Sequence, residues 1–254
     1  MRVGRLHLWM CAVLIALMAS SAARAATISY GNSPVIPPGV TFIDVTESSG
    51  TDPVPLYGPP SYFNTGVDFD PTSFVASATN GGADVTDGQL NFTLAGTVNG
   101  SQITAIDELD LSESGDYTIV GLAGTQVIAS ASIKIKVTEI DGIDVPDITL
   151  PQANTSISFV LPPSAVLAAW GLNLNYDISA ELTNLAVDYE YGATEIEVVI
   201  NDQLIAISQP SSVAFISKKD FAVDVNGVVT LVPEPTNAAL LALGILGVVL
   251  RRRR

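Results

Sequence analysis

The chain has 254 residues, with 26 Asp and Glu against 11 Lys and Arg and a formal charge of -15. Its single Cys, Cys11, and single His, His7, lie near the N-terminus, so residues 26–231 hold no imidazole base, no zinc set of the usual kind, no thiol nucleophile and no disulfide. That stretch sets its carboxylates against only four cations, Lys134, Lys136, Lys218 and Lys219, which excludes nucleic acid as a partner because nothing would neutralise phosphates.

Taken in chain order, Arg2 and Arg5 precede an apolar stretch from Leu6 to Ala19, and Ala23-Arg24-Ala25 puts small residues at the two positions that define cleavage. Residues 1–25 therefore read as a secretory signal peptide, delivered to the Sec translocon and cut after Ala25. Residues 26–231 are long enough for one sizeable domain or two small ones, which a hydrophobic core alone must hold together.

From Ala26 to Pro71 the chain is irregular and rich in proline, with room only for short extended pieces at Thr27 to Tyr30 and Val40 to Val45. Tyr57-Gly58-Pro59-Pro60-Ser61-Tyr62-Phe63 is a stiff loop carrying three aromatic rings. Such a loop either stacks on pyranose rings or folds back to plug one end of a sandwich, and Tyr57 and Tyr62 are its candidate sugar contacts.

Residues 72–231 are strongly β. Leu90, Phe92 and Leu94 alternate with polar neighbours, and Asn99-Gly100 suits a type I′ turn that would pair Leu94 with Ala105 and Gly96 with Ile103. Asp116 to Val120 is a short strand, and Val127 to Thr138 alternates as a long, half-exposed one. Pro162 to Trp170 is the one helical candidate, started by its prolines and capped by Gly171. Strand pattern returns at Leu172 to Ile178, Leu185 to Tyr191, Glu195 to Ile200 and Gln203 to Ser208, and Asn226-Gly227 would close a hairpin pairing Val225 with Val228. About a dozen short strands with a turn signal every 8 to 15 residues argue an all-β, antiparallel β-sandwich or jelly roll with a short connector helix.

Two acidic clusters are the constellations that could carry chemistry. One holds Asp107, Glu108, Asp110, Glu113 and Asp116, the other Glu139, Asp141, Asp144 and Asp147. Calcium takes six to eight hard oxygen ligands from flexible loops, so Asp107, Asp110, Asp116, Asp141 and Asp144 are candidate calcium ligands, although neither cluster matches an EF-hand. Paired carboxylates could also serve a glycoside hydrolase. A cleft without Arg or His and with one Trp, Trp170, would grip sugars poorly, so the chain reads as no enzyme.

At the C-terminus, Val232-Pro233-Glu234-Pro235-Thr236 leads into an apolar run from Ala238 to Leu250, and Arg251, Arg252, Arg253 and Arg254 end the protein. The run reads as a transmembrane helix whose arginines stay on the cytoplasmic side. At 13 residues it is short for a permanent span, which takes about 20. Residues 232–254 resemble the PEP-CTERM sorting signal of exported bacterial proteins. The resemblance implies recognition of Pro233, Glu234 and Pro235 by an exosortase, a membrane-embedded protease or transpeptidase of Gram-negative bacteria that make biofilm and exopolysaccharide. The expectation is an acidic protein, exported, held transiently at the inner membrane and released to the cell surface or extracellular matrix. Its expected role there is as a structural or adhesive partner of exopolysaccharide, with a carbohydrate- or calcium-binding module as the alternative.

Overall fold

Alternation of apolar and polar residues, as in Leu90 to Leu94 or Val127 to Val137, gives a strand one face for a core and one for water. In the computed structural model, which describes residues 26–36, 39–63, 65–99 and 102–231, that alternation builds fourteen strands and one short helix. The strands are β1 (Thr27–Gly31), β2 (Val40–Ser48), β3 (Ser61–Phe63), β4 (Gly66–Phe69), β5 (Val75–Thr79), β6 (Ala83–Gly96), β7 (Val98–Asn99), β8 (Gln102–Val120), β9 (Gln126–Ile140), β10 (Ile143–Thr149), β11 (Ala153–Val160) and β12 (Ala165–Asp177). Helix α1 (Ile178–Asn184) follows, then β13 (Ala193–Ile207) and β14 (Val213–Leu231).

Every pairing is antiparallel, and the strands form two sheets of seven. The first sheet runs β1-β2-β6-β13-β9-β10, with β11 also on β9; the second runs β12-β8-β14-β4-β3, with β5 on β14 and β7 on β8. Strands β10 and β11 share one edge of β9, taking Lys136 to Ile140 and Gln126 to Ile133 respectively. The sheets pack face to face as a β-sandwich. Leu90, Phe92, Val198 and Ile200 of the first sheet, with Leu109, Leu111, Phe221 and Val223 of the second, belong to one buried core.

Four local expectations differ from what forms. Pro162 to Trp170 is not a helix. Ala165 to Trp170 opens β12, which pairs along the outer edge of β8, and Trp170 is buried with Nε1 donating to Ser217 O at 3.0 Å. Pairing to an otherwise open strand edge outweighs local propensity. The helix lies further on, at Ile178 to Asn184. Asp177 caps it by accepting from Ala180 N at 2.7 Å, and Ile178 and Leu182, four residues apart, are both buried. In sequence Ile178 reads as the continuation of a strand because it keeps the alternation of Leu172, Leu174 and Tyr176.

Residues 185–191 form no strand; they turn back toward β13. The hairpin near Asn99 is two residues out of the expected register, with Asn99 opposite Gln102 and Val98, in place of Gly96, opposite Ile103. Leu94 meets Phe42 and Ile196 instead of Ala105, because the chain changes sheets between β6 and β7. Asn226-Gly227 closes no hairpin either. It is a bulge inside β14, where Val225 pairs with Leu109 and Val228 with Ala105. Gly227 fits because a Cβ there would lie 2.3 Å from Ala105 O.

Among the described residues no helix is long and apolar enough to cross a membrane. Residues 1–25 and 232–254, on which the signal peptide and the sorting segment were expected, lie outside the described residues.

Candidate functional site

The outer face of the first sheet carries a polar band. Registers place Ser48 opposite Gln89, Gln89 opposite Asn201, Asn201 opposite Ser132 and Ser132 opposite Asn154. A second row sets Asp87 opposite Gln203, Gln203 opposite Ser130 and Ser130 opposite Ser156. The alternating residues Leu90, Ile200 and Ile133 turn into the core, so each strand gives its hydroxyl or amide to the outside. With neighbouring strands about 4.8 Å apart, the first row is about 19 Å long.

These two rows line a groove of about 780 Å³, closed at one side by Ser49 and Gly50. Gln89 Nε2 donates to Asn201 Oδ1 at 2.8 Å on its floor. At the rim Asp87 gathers the turn after β2, accepting from Ser49 Oγ at 2.9 Å, Gly50 N at 2.7 Å and Thr51 N at 3.0 Å. Burial would raise the Asp87 carboxyl, but these hydrogen bonds outweigh it and hold the group below its ordinary value.

Directly beneath the floor lies a cluster of buried charge. Asp202 follows Asn201 and so points inward, where Lys218 Nζ stands 2.7 Å from its Oδ2 and Tyr57 donates its hydroxyl to the same oxygen at 2.6 Å. Glu113 of β8 completes the group, its Oε2 2.8 Å from Lys218 Nζ at ion-pair distance but without hydrogen-bond geometry. All three ionisable side chains are at most 1% exposed. Lys218 Nζ also lies 4.6 Å from the ring centre of Phe74 and 4.9 Å from that of Phe221. Gly88, opposite Asp202 on β6, leaves room for these rings, since a Cβ there would meet Phe74 at 2.5 Å and Tyr57 at 2.8 Å.

Desolvation first, and then the Asp202 charge, push the Glu113 carboxyl well above its ordinary range, while Lys218 acts the other way. Burial and the same neighbouring carboxylates push the Tyr57 hydroxyl up as well, so it remains a donor. Glu113 Oε1 and Asp202 Oδ1 are buried with no hydrogen-bond partner.

The aromatic loop folds inward. Tyr57 is 0% exposed, with its ring centre 5.1 Å from those of both Phe74 and Phe221, so it is core and unavailable to a sugar. Glu47 fixes it there by accepting from Leu56 N and Tyr57 N. Tyr62 is half-buried against Phe42, with its hydroxyl enclosed and unpartnered.

The acidic clusters do not converge. Asp107, Glu108, Asp110, Glu113 and Asp116 lie along β8 itself, where neighbours point to opposite faces. Asp107 accepts from Ser179 Oγ, Asp110 from Asn175 and Asn226, and Asp116 from Ser217 and Lys219. Asp141 is occupied by the backbone N–H groups of Glu190, Tyr191 and Gly192, and Asp144 sits on β10 opposite Glu139. Among the described residues no three His, Cys, Asp or Glu side chains gather as a metal site.

Neither the groove nor the buried cluster is among the expectations from sequence, and of the two only the cluster leaves a signal there. Glu113 keeps the inward phase of Leu109 and Leu111, Asp202 that of Val198, Ile200 and Leu204, and Lys218 that of Ala214 and Ile216. A charged residue on the apolar phase of a strand marks a buried ion.

No family model matches the chain, and no curated protein matches it significantly. Among solved structures it is similar to TmCBM61 in complex with β-1,4-galactotriose, at 7% identity over 79% of this chain and 88% of that one, with a TM-score of 0.20. It is also similar to the N-terminal cellulose-binding domain of Cellulomonas fimi β-1,4-glucanase C, at 13% identity over 77% and 94% of the chains (TM-score 0.19). A third is Trichoderma harzianum endoglucanase 3 from family GH12, at 10% identity over 80% and 99% (TM-score 0.20). At these values nothing about function rests on the likeness.

Proposed function

We propose that the chain is an exported surface or matrix protein whose β-sandwich holds a neutral polysaccharide strand in the groove across its first sheet. The observation that carries this reading is the unbroken row Ser48, Gln89, Asn201, Ser132, Asn154, one hydroxyl or amide per strand over five strands. Hydroxyls and carboxamides both donate and accept, which is what a sugar hydroxyl requires of its partner. The spacing of adjacent strands is close to the length of one pyranose ring, so successive sugars of an extended chain would meet successive strands. Asp87 is the charged group at the groove's surface, and it disfavours an anionic glycan.

Hydrolysis is disfavoured by the same geometry. The two acids nearest the groove are Asp87 and Asp202, and they lie on opposite faces of the sheet, Asp202 ion-paired in the core. A glycosidase needs both carboxylates across one sugar. Calcium has no gathered ligand set behind it, so polysaccharide is the partner the reading adopts. The sorting role rests on Pro233, Glu234, Pro235 and the arginines after Leu250, and makes exosortase the processing partner.

Affinity electrophoresis through gels containing neutral soluble polysaccharides tests the reading. At least one of them should retard the protein, and the Gln89→Ala, Asn201→Ala double variant should migrate freely while keeping its unfolding temperature. Retardation equal to that of the unmodified protein would place binding elsewhere.

A further inference from the structure

Of the four lysines among the described residues, Lys218 alone is buried, and it is held against Asp202 of the opposite sheet at 2.7 Å. Burying such a pair costs more desolvation than its attraction returns unless the remaining lone pairs are satisfied, and here Asp202 Oδ1 and Glu113 Oε1 are not. Orphaned polar atoms around a buried ion pair need an explanation. The amine and the carboxyl differ from an amide only by one water. A nitrogen 2.7 Å from one carboxyl oxygen stands, at ordinary hydrogen-bond angles, about 3 to 3.5 Å from the carbon, which is near-attack distance.

We propose that Lys218 and Asp202 condense into an intramolecular isopeptide bond, with Glu113 as the catalytic residue that moves the protons. Lys218 gives up a proton within the cluster, so that Nζ carries a free electron pair and Asp202 is in its acid form. Nζ attacks Cγ of Asp202, the N–C bond forms, and the carbonyl π pair moves to oxygen. Glu113, 2.8 Å from Nζ, takes a proton from the nitrogen and passes one to the departing hydroxyl. The pair on the carbonyl oxygen returns to re-form the C=O bond as the C–O bond breaks with its own pair, and one water leaves. An ammonium and a carboxylate become a neutral secondary amide; nothing is oxidised or reduced, and no co-reactant is needed.

The surroundings favour the product. Phe74, Phe221 and Tyr57 exclude bulk water from the reacting atoms, which protects the amide from hydrolysis and makes the charged reactants the more costly state. The bond would tie β13 of one sheet to β14 of the other, a covalent cross-link in a stretch of chain that has no cysteine to form a disulfide. This inference is independent of the glycan reading.

Mass spectrometry of the purified full chain decides it. The unmodified protein should weigh one water less than its residues sum to. Chymotryptic cleavage after Leu204 and Phe215, which otherwise separates Asp202 from Lys218, should yield one branched peptide containing both. Glu113→Gln and Lys218→Arg should restore the full mass and give two separate peptides. Full mass and separate peptides from the unmodified protein would overturn the proposal, and this reading does not depend on how well the variants fold. Complete cross-linking in a folded Glu113→Gln variant would overturn the role given to Glu113.

Discussion

Asn201 and Asp202 are consecutive residues that face opposite ways: Asn201 accepts from Gln89 at 2.8 Å in the groove, and Asp202 takes Lys218 at 2.7 Å in the core. One backbone unit of β13 thus fixes both the floor of the polar groove and the buried charge beneath it. Whatever immobilises Asp202 also sets the height and register of Asn201, so the core cluster is a positioning device for the groove. Rigid placement of this kind lowers the ordering cost of binding a flexible chain.

The cluster should dominate stability. Lys218→Met removes the amine together with any link it makes to Asp202 and leaves Asp202 and Glu113 buried among rings; breaking such a buried pair from one side costs at least about 3 to 5 kcal/mol. Urea unfolding followed by tryptophan fluorescence should show an unfolding free energy lower by that amount. A surface substitution such as Lys219→Met, whose partner Asp116 is reached from an exposed position, should change the midpoint little.

Acid should loosen the groove's rim. Asp87 has a folded pKa held below its ordinary 3.8, so its contribution is fully present above that value and is lost as pH falls through the depressed one. Asp87→Asn should flatten the dependence of stability on pH below about 4 while leaving the neutral-pH fold intact. Thermal unfolding measured across that range in both proteins checks this, and parallel curves would show that the turn at Ser49 to Thr51 does not depend on the charge.

Much of the architecture was legible because period-two alternation is a direct imprint of a two-sided sheet. Leu90 to Leu94 and Val127 to Val137 lie in strands with the expected faces inward. What failed was local punctuation. Asn226-Gly227 has the chemistry of a turn, but β8 is long enough to pair with both sides of it, and the site becomes a bulge. A bulge between Lys218 and Asp220 also resets the phase of β14, so that Lys218 and Phe221 both turn inward. The groove was hidden for another reason: Ser48, Gln89, Asn201, Ser132 and Asn154 come from five distant strands, and only strand order and register bring them into one row. Tyr57 misled because an aromatic on a proline-rich loop suits a sugar platform and a core plug equally well, and Glu47, which decides between them, is ten residues away.

The tail makes a separate expectation. If Pro233, Glu234 and Pro235 are read by an exosortase, the Glu234→Ala, Pro235→Ala variant should accumulate as an unprocessed, membrane-associated chain in a host that encodes the enzyme. Immunoblots of membrane and extracellular fractions would show it. Maturation at the normal rate would remove the exosortase from the proposed route.

The most direct measurement is a titration of isotope-labelled protein with a panel of neutral oligosaccharides, followed through the side-chain amide resonances of Gln89, Asn154, Asn201 and Gln203. With a glycan that binds, these four should shift together and saturate, while the amides of Gln126 and Asn226, outside the groove, stay in place. Saturable shifts confined to other surfaces, or no shifts with any neutral glycan, would contradict a polysaccharide site on the first sheet.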